Sequence, residues 1–276
     1  MPHFFTSDGL RLHYEDSGTG QPLLCLAGLT RNGRDFDALA PHVTDLRLIR
    51  LDSRGRWRSD RDPDPMNYTV PREAADAVEL LDHLGLGKVT ILGTSRGGLI
   101  AMMLAASHPA RLAGVILNDV GPVVGAEGLA RIMDYVGRRP AAQTHAEAAS
   151  AIKALMEPQF PGVPLAVWRH LAEAQYIETE SGLDLNYDPR LREALEAQFV
   201  DGPPPDLWPL FDALAPLPLG VLRGANSDIF EPATLAEMQA RHPGLIAAEV
   251  PDRGHVPFLD EPQSLAVIRQ VLGAAG

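Results

Sequence analysis

Short apolar runs alternate with longer amphipathic stretches along the first part of the chain. The runs at 23–27 and 46–51 are almost continuously apolar, which is typical of parallel strands that are buried on both faces. The stretch at 71–84 spaces its apolar residues for one helical face and is followed by Gly85, a residue type that commonly ends helices. Because strand and helix patterns alternate, the sequence predicts an α/β fold with a parallel sheet and helices on both faces.

The alternation stops after Asn118 and resumes at 219. Between these points, residues 121–214 have the pattern of helices, with one short strand-like segment at 183–187. We therefore predict one core domain, formed by 1–120 and 215–276, that is interrupted by a helical cap or lid at 121–214. The predicted strands are 10–14, 23–27, 46–51, 88–92, 112–117, 219–223 and 245–250, and the predicted helices are 71–84, 95–107, 232–241 and 261–272.

Composition narrows the range of functions. The 276 residues include 24 Lys and Arg against 36 Asp and Glu, which gives a formal net charge of −12. This balance argues against a nucleic-acid partner, because such a surface needs clustered positive charge. The single cysteine, Cys25, cannot form an internal disulfide or a thiolate zinc cluster.

The sequence also argues against secretion and membrane insertion. The first ten residues lack the basic and apolar regions of a secretory signal. The longest apolar run, 99–106, is far shorter than the roughly 20 residues that span a membrane. We therefore expect a cytoplasmic protein that needs no metal or cofactor, and its chain size is compatible with a homodimer.

One motif points to nucleophilic chemistry. Gly93-x-Ser95-x-Gly97 lies between an apolar strand pattern and a helix pattern, which is the setting of a nucleophile elbow. There the glycines remove side chains that would clash in a tight turn, and the serine hydroxyl stays exposed above the sheet. The alternative is a glycine-lined turn in which Ser95 only caps the helix.

A serine hydroxyl needs a base to accept its proton, and the base needs an acceptor that fixes its tautomer. His255 follows the last predicted strand, at the same carboxyl edge of the sheet as Ser95. Asp228 follows the strand 219–223 and gives the order Ser, Asp, His, so we predict it as the acid. Asp119, which comes directly after the strand 112–117, is the alternative acid, or a strand-end cap.

A tetrahedral intermediate needs two backbone N–H groups that face its negative oxygen. The first is predicted to be that of Arg96, the residue after the nucleophile. The second is predicted to be that of Leu29, which follows Gly28 in the loop after the strand 23–27. We expect the Arg96 side chain to pack beside the elbow or to pair with a nearby acid.

These motifs together resemble the α/β-hydrolase superfamily over nearly the whole chain. The segment 93–98 resembles the nucleophile elbow of its serine hydrolases, 224–228 the acid loop, 254–255 the histidine loop, and 51–55 the loop after the fourth strand. The resemblance implies an eight-stranded, mostly parallel sheet with an inserted cap. In this superfamily, haloalkane dehalogenases and epoxide hydrolases have Asp at the position that corresponds to Ser95. By this resemblance, the serine argues against both of these reactions.

Two positions depart from the family pattern. The loop before the oxyanion hole usually carries His-Gly, whereas this chain has Ala27-Gly28. The family usually has a glycine where this chain has Trp57, so either that loop moves outward or the indole lies near the cap. Trp57, Trp168 and Tyr176 are candidate pocket or access residues, and the inserted segment offers further aromatic residues at Tyr135, Tyr187, Phe199, Trp208 and Phe211.

The predicted reaction is hydrolysis of a carboxylic ester of a small or medium, largely apolar substrate through an acyl-enzyme. Lactone or enol-lactone hydrolysis, carbon–carbon bond hydrolysis of ring-fission diketones and cofactor-free perhydrolysis use the same residues and stay open. A ligand-binding protein without catalytic activity is the alternative from another class. It is disfavoured because all three catalytic positions are filled.

Overall fold

The computed structural model describes residues 1–197 and 205–276. In these described residues the main sheet has eight strands, which are β1 (His3–Phe5), β2 (Arg11–Ser17), β3 (Pro22–Leu26), β4 (Arg47–Leu51), β5 (Val89–Thr94), β6 (Leu112–Asn118), β9 (Leu219–Gly224) and β10 (Ile246–Val250). Their spatial order is β1-β2-β4-β3-β5-β6-β9-β10. β1 and β2 pair antiparallel, as do β2 and β4, and the pairs from β4 through to β10 are parallel. The predicted eight-stranded, mostly parallel sheet is confirmed.

Helices cover both faces of this sheet. They are α1 (Val70–His83), α2 (Arg96–Ser107), α8 (Pro232–Arg241) and α9 (Pro262–Ala275). Successive residues of β3 point to opposite faces, so Leu24 packs in the core under α1 and α2, while Cys25 packs in the core under α9. This burial of both faces is the physical reason for the continuous apolar runs in the sequence.

The chain between β6 and β9 forms an inserted segment of different structure. It contains α3 (Ala126–Tyr135), α4 (His145–Met156), α5 (Leu165–Gln175), the antiparallel hairpin β7 (Tyr176–Thr179) and β8 (Gly182–Leu185), α6 (Leu191–Ala197) and α7 (Trp208–Asp212). The strand-like pattern at 183–187 therefore includes one arm of a hairpin. Phe199 lies outside the described residues.

Backbone hydrogen bonds join the inserted segment to the loop after β4. The N–H of Trp57 donates to the carbonyl of Asn186 at 2.9 Å, and the N–H of Asp188 donates to the carbonyl of Gly55 at 2.7 Å. The hairpin side of the segment is thus fixed to the core through main-chain contacts. Within the described residues, no helix has the length and apolar character needed to cross a membrane.

Candidate active site

Ser95 occupies the turn between β5 and α2, in a backbone conformation (φ 50°, ψ −116°) that non-glycine residues rarely adopt. A Cβ atom on Gly93 would lie 2.4 Å from the carbonyl oxygen of Gly97, and a Cβ atom on Gly97 would lie 2.0 Å from that of Leu26. Both distances are far inside van der Waals contact. Steric crowding therefore requires glycine on each side of the serine, as expected for an elbow.

Three side chains form a hydrogen-bonded series at this turn. Nε2 of His255 lies 2.9 Å from Oγ of Ser95, and Nδ1 of His255 lies 2.7 Å from Oδ2 of Asp119. An ionised carboxylate can only accept hydrogen bonds, so Nδ1 donates to Asp119 and Nε2 is left with a lone pair toward the hydroxyl. The geometry is that of a nucleophile, a base and an orienting acid.

The Asp119 carboxylate is fully buried but well supplied with donors. Oδ1 accepts from the N–H of Gly224 at 2.7 Å, and Oδ2 accepts from the hydroxyl of Ser227 at 2.6 Å in addition to the histidine. These hydrogen bonds replace the water that the buried carboxylate loses. They also fix the Asp119 side chain against His255.

The prediction that Asp228 orients the histidine is wrong. Oδ2 of Asp228 accepts from Nε2 of Gln159 at 2.8 Å and forms an ion pair with Arg131. The alternative acid, Asp119, takes the predicted place beside His255. The loop that was expected to supply the acid instead supplies two of the donors to Asp119, the N–H of Gly224 and the hydroxyl of Ser227.

The pairing register of β5 and β6 explains why Asp119, and not Asp228, contacts His255. β6 lies directly beside β5, and Thr94 pairs with Asn118, so the residues that follow them, Ser95 and Asp119, leave the sheet at the same level. Asp228 comes four residues after the end of β9. Both acids precede the histidine in the chain, so chain order alone could not separate them.

The two N–H groups predicted for the oxyanion hole are those of Arg96 and Leu29. Arg96 is the first residue of α2, where N–H groups have no partner inside the helix. In the described parts of the chain, neither this N–H nor that of Leu29 has a hydrogen-bond acceptor. A free N–H pair beside an elbow serine is what an oxyanion hole needs.

A buried ionic bridge connects the two predicted oxyanion residues. Nε of Arg56 donates to the carbonyl of Leu29 at 2.8 Å, and Nη1 of the same guanidinium donates to Glu73 at 2.8 Å. Nε of Arg96 donates to the other oxygen of Glu73 at 2.8 Å. The expectation that the Arg96 side chain pairs with an acid is confirmed.

Glu73 is placed in this bridge by the start of α1, where the Thr69 hydroxyl caps the helix by accepting from the N–H of Arg72. Burial raises the pKa of the Glu73 carboxyl, but the two guanidinium groups outweigh it and hold that pKa below its usual value. The carboxylate is therefore charged, and its charge is what keeps two buried arginines side by side. No local sequence pattern indicates this contact, because it joins segments that are distant in the chain.

Trp57 lies where the inserted segment meets the core. Its backbone is left-handed (φ 49°), a conformation that costs about 1–2 kcal/mol for a non-glycine residue and explains why glycine suits this position. The guanidinium carbons of Arg34 and Arg58 lie 5.9 and 5.1 Å from its ring centre, and each such contact contributes about 0.5–1 kcal/mol. Together with Ile177 and Tyr187, the indole lines a shallow cavity.

The other two candidate pocket residues have different surroundings. Trp168 is 2% exposed and packs edge-on against Phe160 and Phe258, so it is a core residue of the inserted segment. Tyr176 is half-buried, and its phenol lies near the guanidinium of Arg31. Sequence reasoning did not single out Arg31, although it lies only two residues beyond Leu29.

Comparison with known proteins agrees with this architecture. A family model described as the alpha/beta hydrolase fold matches residues 21–262. The 3-hydroxybutyrate-oligomer hydrolase of Cupriavidus necator is 35% identical over 269 residues, which is 94% of this chain and 91% of that protein.

Two solved structures are also similar. The crystal structure of an alpha/beta hydrolase from Novosphingobium aromaticivorans has 42% identity and a TM-score of 0.91, over 99% of this chain and 97% of the other. A thermophilic esterase from Thermogutta terrifontis, solved with malate bound, has 26% identity and a TM-score of 0.76, over 100% and 99% of the two chains. With the family model covering most of its length, this chain belongs to the α/β-hydrolase fold family of hydrolases.

Proposed function

We propose that this protein is a serine hydrolase that cleaves a carboxylic ester of a small or medium, largely apolar substrate through an acyl-enzyme. The observation that carries the proposal is the hydrogen-bonded series Asp119–His255–Ser95, with distances of 2.7 and 2.9 Å. Each contact joins groups that this chemistry requires in that order.

In the acylation half of the reaction, Nε2 of His255 takes the proton of the Ser95 hydroxyl while Oγ attacks the ester carbonyl. The N–H groups of Leu29 and Arg96 donate to the oxygen that becomes negative. Asp119 accepts from Nδ1 and stabilises the imidazolium. The tetrahedral intermediate then collapses, the bond to the alcohol breaks, and His255 gives its proton to the departing oxygen.

Deacylation repeats these steps with water. Nε2 of His255 takes a proton from a water molecule, whose oxygen attacks the acyl carbonyl. The carboxylic acid leaves, and the same proton returns to Oγ of Ser95. The side chains and backbone groups of this chain are sufficient for every step.

Two of the similar proteins support an ester substrate. An oligomer of 3-hydroxybutyrate is joined by ester bonds, and the relative named for its hydrolysis covers nearly the whole chain. The relative from Thermogutta is named an esterase. We propose that residues 121–214 act as a cap over the site, with Trp57 and Tyr176 at its border.

The test compares the parent protein with Ser95→Ala on p-nitrophenyl esters from acetate to decanoate, on simple lactones and on a ring-fission diketone. We expect ester turnover by the parent and a loss of at least about a thousandfold in the variant. A fluorophosphonate probe should label Ser95 in the parent. Ester turnover that survives in Ser95→Ala, or activity confined to the diketone, would overturn the proposal.

A further inference from the structure

We propose that Arg31 binds a carboxylate of the substrate, so that the preferred esters carry a free carboxylate within a few bonds of the cleaved bond. This inference rests on the proposed ester hydrolysis and adds a substrate class to it. An ester of a short hydroxy acid with its own carboxylate unblocked has this chemistry.

The position of Arg31 places it beside the nucleophile. Its N–H donates to the carbonyl of Gly28 at 3.1 Å, which closes a tight turn around Leu29. A Cβ atom built on Gly28 would lie 3.3 Å from Cγ of Arg31 and 3.8 Å from Cβ of Ser95. The arginine stem and the serine therefore border the same face of Gly28.

One edge of the guanidinium is held and the other is free. Nε donates to both oxygens of Asp35 at 2.8 and 2.9 Å, and Nη2 lies 2.7 Å from Oδ1. Among the described residues, Nη1 has no acceptor, and the side chain is 23% exposed. A guanidinium fixed on one edge presents its remaining N–H groups in the planar geometry that suits a carboxylate.

The ion pair does not serve to join the two parts of the molecule. Asp35 lies on the same loop, four residues from Arg31. Arg34, by contrast, donates through Nη1 to the carbonyl of Glu173 at 2.9 Å and so connects the loop to the inserted segment. Arg31 makes no such bond in the described residues, which leaves its free edge for a ligand.

The inserted segment places two phenols near the Arg31 guanidinium. The phenols of Tyr135 and Tyr176 lie close enough to Arg31 to interact with its charge. Burial raises the pKa of the Tyr176 phenol, and the nearby guanidinium opposes this only in part, so this phenol stays protonated at neutral pH. A carboxylate bound to the free edge of Arg31 would lie near these phenols, while Asp35 occupies the other edge of the guanidinium.

The test uses two pairs of probes that differ only in charge. One pair is the dimer of 3-hydroxybutyrate as its free acid and as its terminal primary amide, which places the charge on the alcohol side. The other pair is monoethyl succinate and ethyl succinamate, which places it on the acyl side. The measured quantity is the ratio of kcat/KM for the acid to kcat/KM for the amide.

For the parent we expect a ratio of about 10 to 100 in at least one pair, because a charge-assisted hydrogen bond changes affinity by about this factor. Arg31→Gln should lower that ratio by about tenfold or more. Arg58→Gln is the matched control, because it removes an arginine that packs on Trp57 and pairs with Glu15, and it should keep the ratio of the parent.

Three results would contradict the account in different ways. A parent ratio near one in both pairs, with esters still cleaved, overturns the carboxylate site and leaves the ester hydrolase standing. An equal loss on acid and amide in Arg31→Gln shows a structural role and also overturns it. Absence of turnover on every ester, including p-nitrophenyl butyrate, overturns the proposed function itself.

Discussion

The carbonyl oxygen of Leu29 accepts a 2.8 Å hydrogen bond from Nε of Arg56, a side chain that is almost completely buried. The same guanidinium donates to Glu73, which also holds Arg96. The two residues whose N–H groups would bind the oxyanion are therefore both held through one carboxylate, Leu29 by its carbonyl and Arg96 by its side chain. Fixed donors stabilise developing charge without reorganising during the reaction, so the rigidity of this bridge bears directly on catalysis.

Glu73→Gln should weaken both folding and turnover. Removing one partner of a buried ion pair leaves an uncompensated charge and lowers the unfolding free energy by about 3–5 kcal/mol. In this variant, two buried guanidinium groups lose their carboxylate. We expect urea unfolding to show a loss in this range, and kcat to fall about tenfold with little change in KM, because a displaced oxyanion donor acts in the transition state.

Glu79→Gln is the matched control for this prediction. Glu79 lies on the same helix, pairs with Arg72 and accepts from the N–H and hydroxyl of Ser7, but its side chain is 24% exposed, so its loss should cost less than that of Glu73, about 1 kcal/mol. Equal losses of unfolding free energy in the two variants would show that the buried bridge has no special role.

Gly93→Ala should abolish activity and strongly destabilise the protein. The added methyl carbon would lie 2.4 Å from the carbonyl oxygen of Gly97, which is backbone and cannot rotate away. Gly87→Ala is the control, because a Cβ atom there meets nothing within 4 Å and should change the unfolding free energy by less than about 1 kcal/mol. Thermal unfolding measures the stability of the two variants, and ester turnover measures their activity. A Gly93→Ala protein with the stability and turnover of the parent would contradict the elbow geometry.

Asp8 should contribute stability that is lost in acid. Burial opposes its ionisation, but the hydrogen bond from Thr6 and the Arg54 guanidinium outweigh this and lower the pKa of Asp8 from 3.8 to about 2. A depressed pKa in the folded state stabilises the protein above pH 3.8, and this contribution disappears as the pH falls through about 2.

Asp8→Asn should therefore be less stable than the parent at pH 6, and the difference should narrow between pH 4 and pH 2. Urea titrations at several pH values measure this difference in unfolding free energy. Asp82→Asn removes a carboxylate that is 62% exposed and paired with Arg111, and serves as the control for loss of a surface ion pair. A stability difference for Asp8→Asn that is constant with pH would contradict the prediction.

Local patterns predicted the sheet, the elbow and the histidine because each depends on short stretches of sequence. The apolar runs reflect strands buried on both faces, and Gly93 and Gly97 reflect crowding within one turn. Two short antiparallel strands, β1 and β7, were missed because three or four residues carry too little alternation to detect.

The acid could not be chosen from sequence for a different reason. Asp119 and Asp228 both follow parallel strands at the same edge of the sheet, and only the adjacency of β5 and β6 distinguishes them. The Glu73 bridge and the Arg31 position likewise depend on how distant segments pack. Trp168 was a candidate for the pocket because an aromatic residue in an inserted helix has the same sequence pattern whether it faces a ligand or a core.

The measurement that tests the central claim most directly is kcat/KM for p-nitrophenyl butyrate in Asp119→Asn and Asp228→Asn, with circular dichroism to confirm that both variants fold. Asp119→Asn should lower kcat/KM by about 10⁴-fold, because the histidine loses the acceptor that fixes its tautomer. Asp228→Asn should stay within about threefold of the parent, since Asp228 contacts Arg131 and Gln159 and makes no hydrogen bond to His255. The opposite ranking of the two variants would contradict the triad of Ser95, His255 and Asp119.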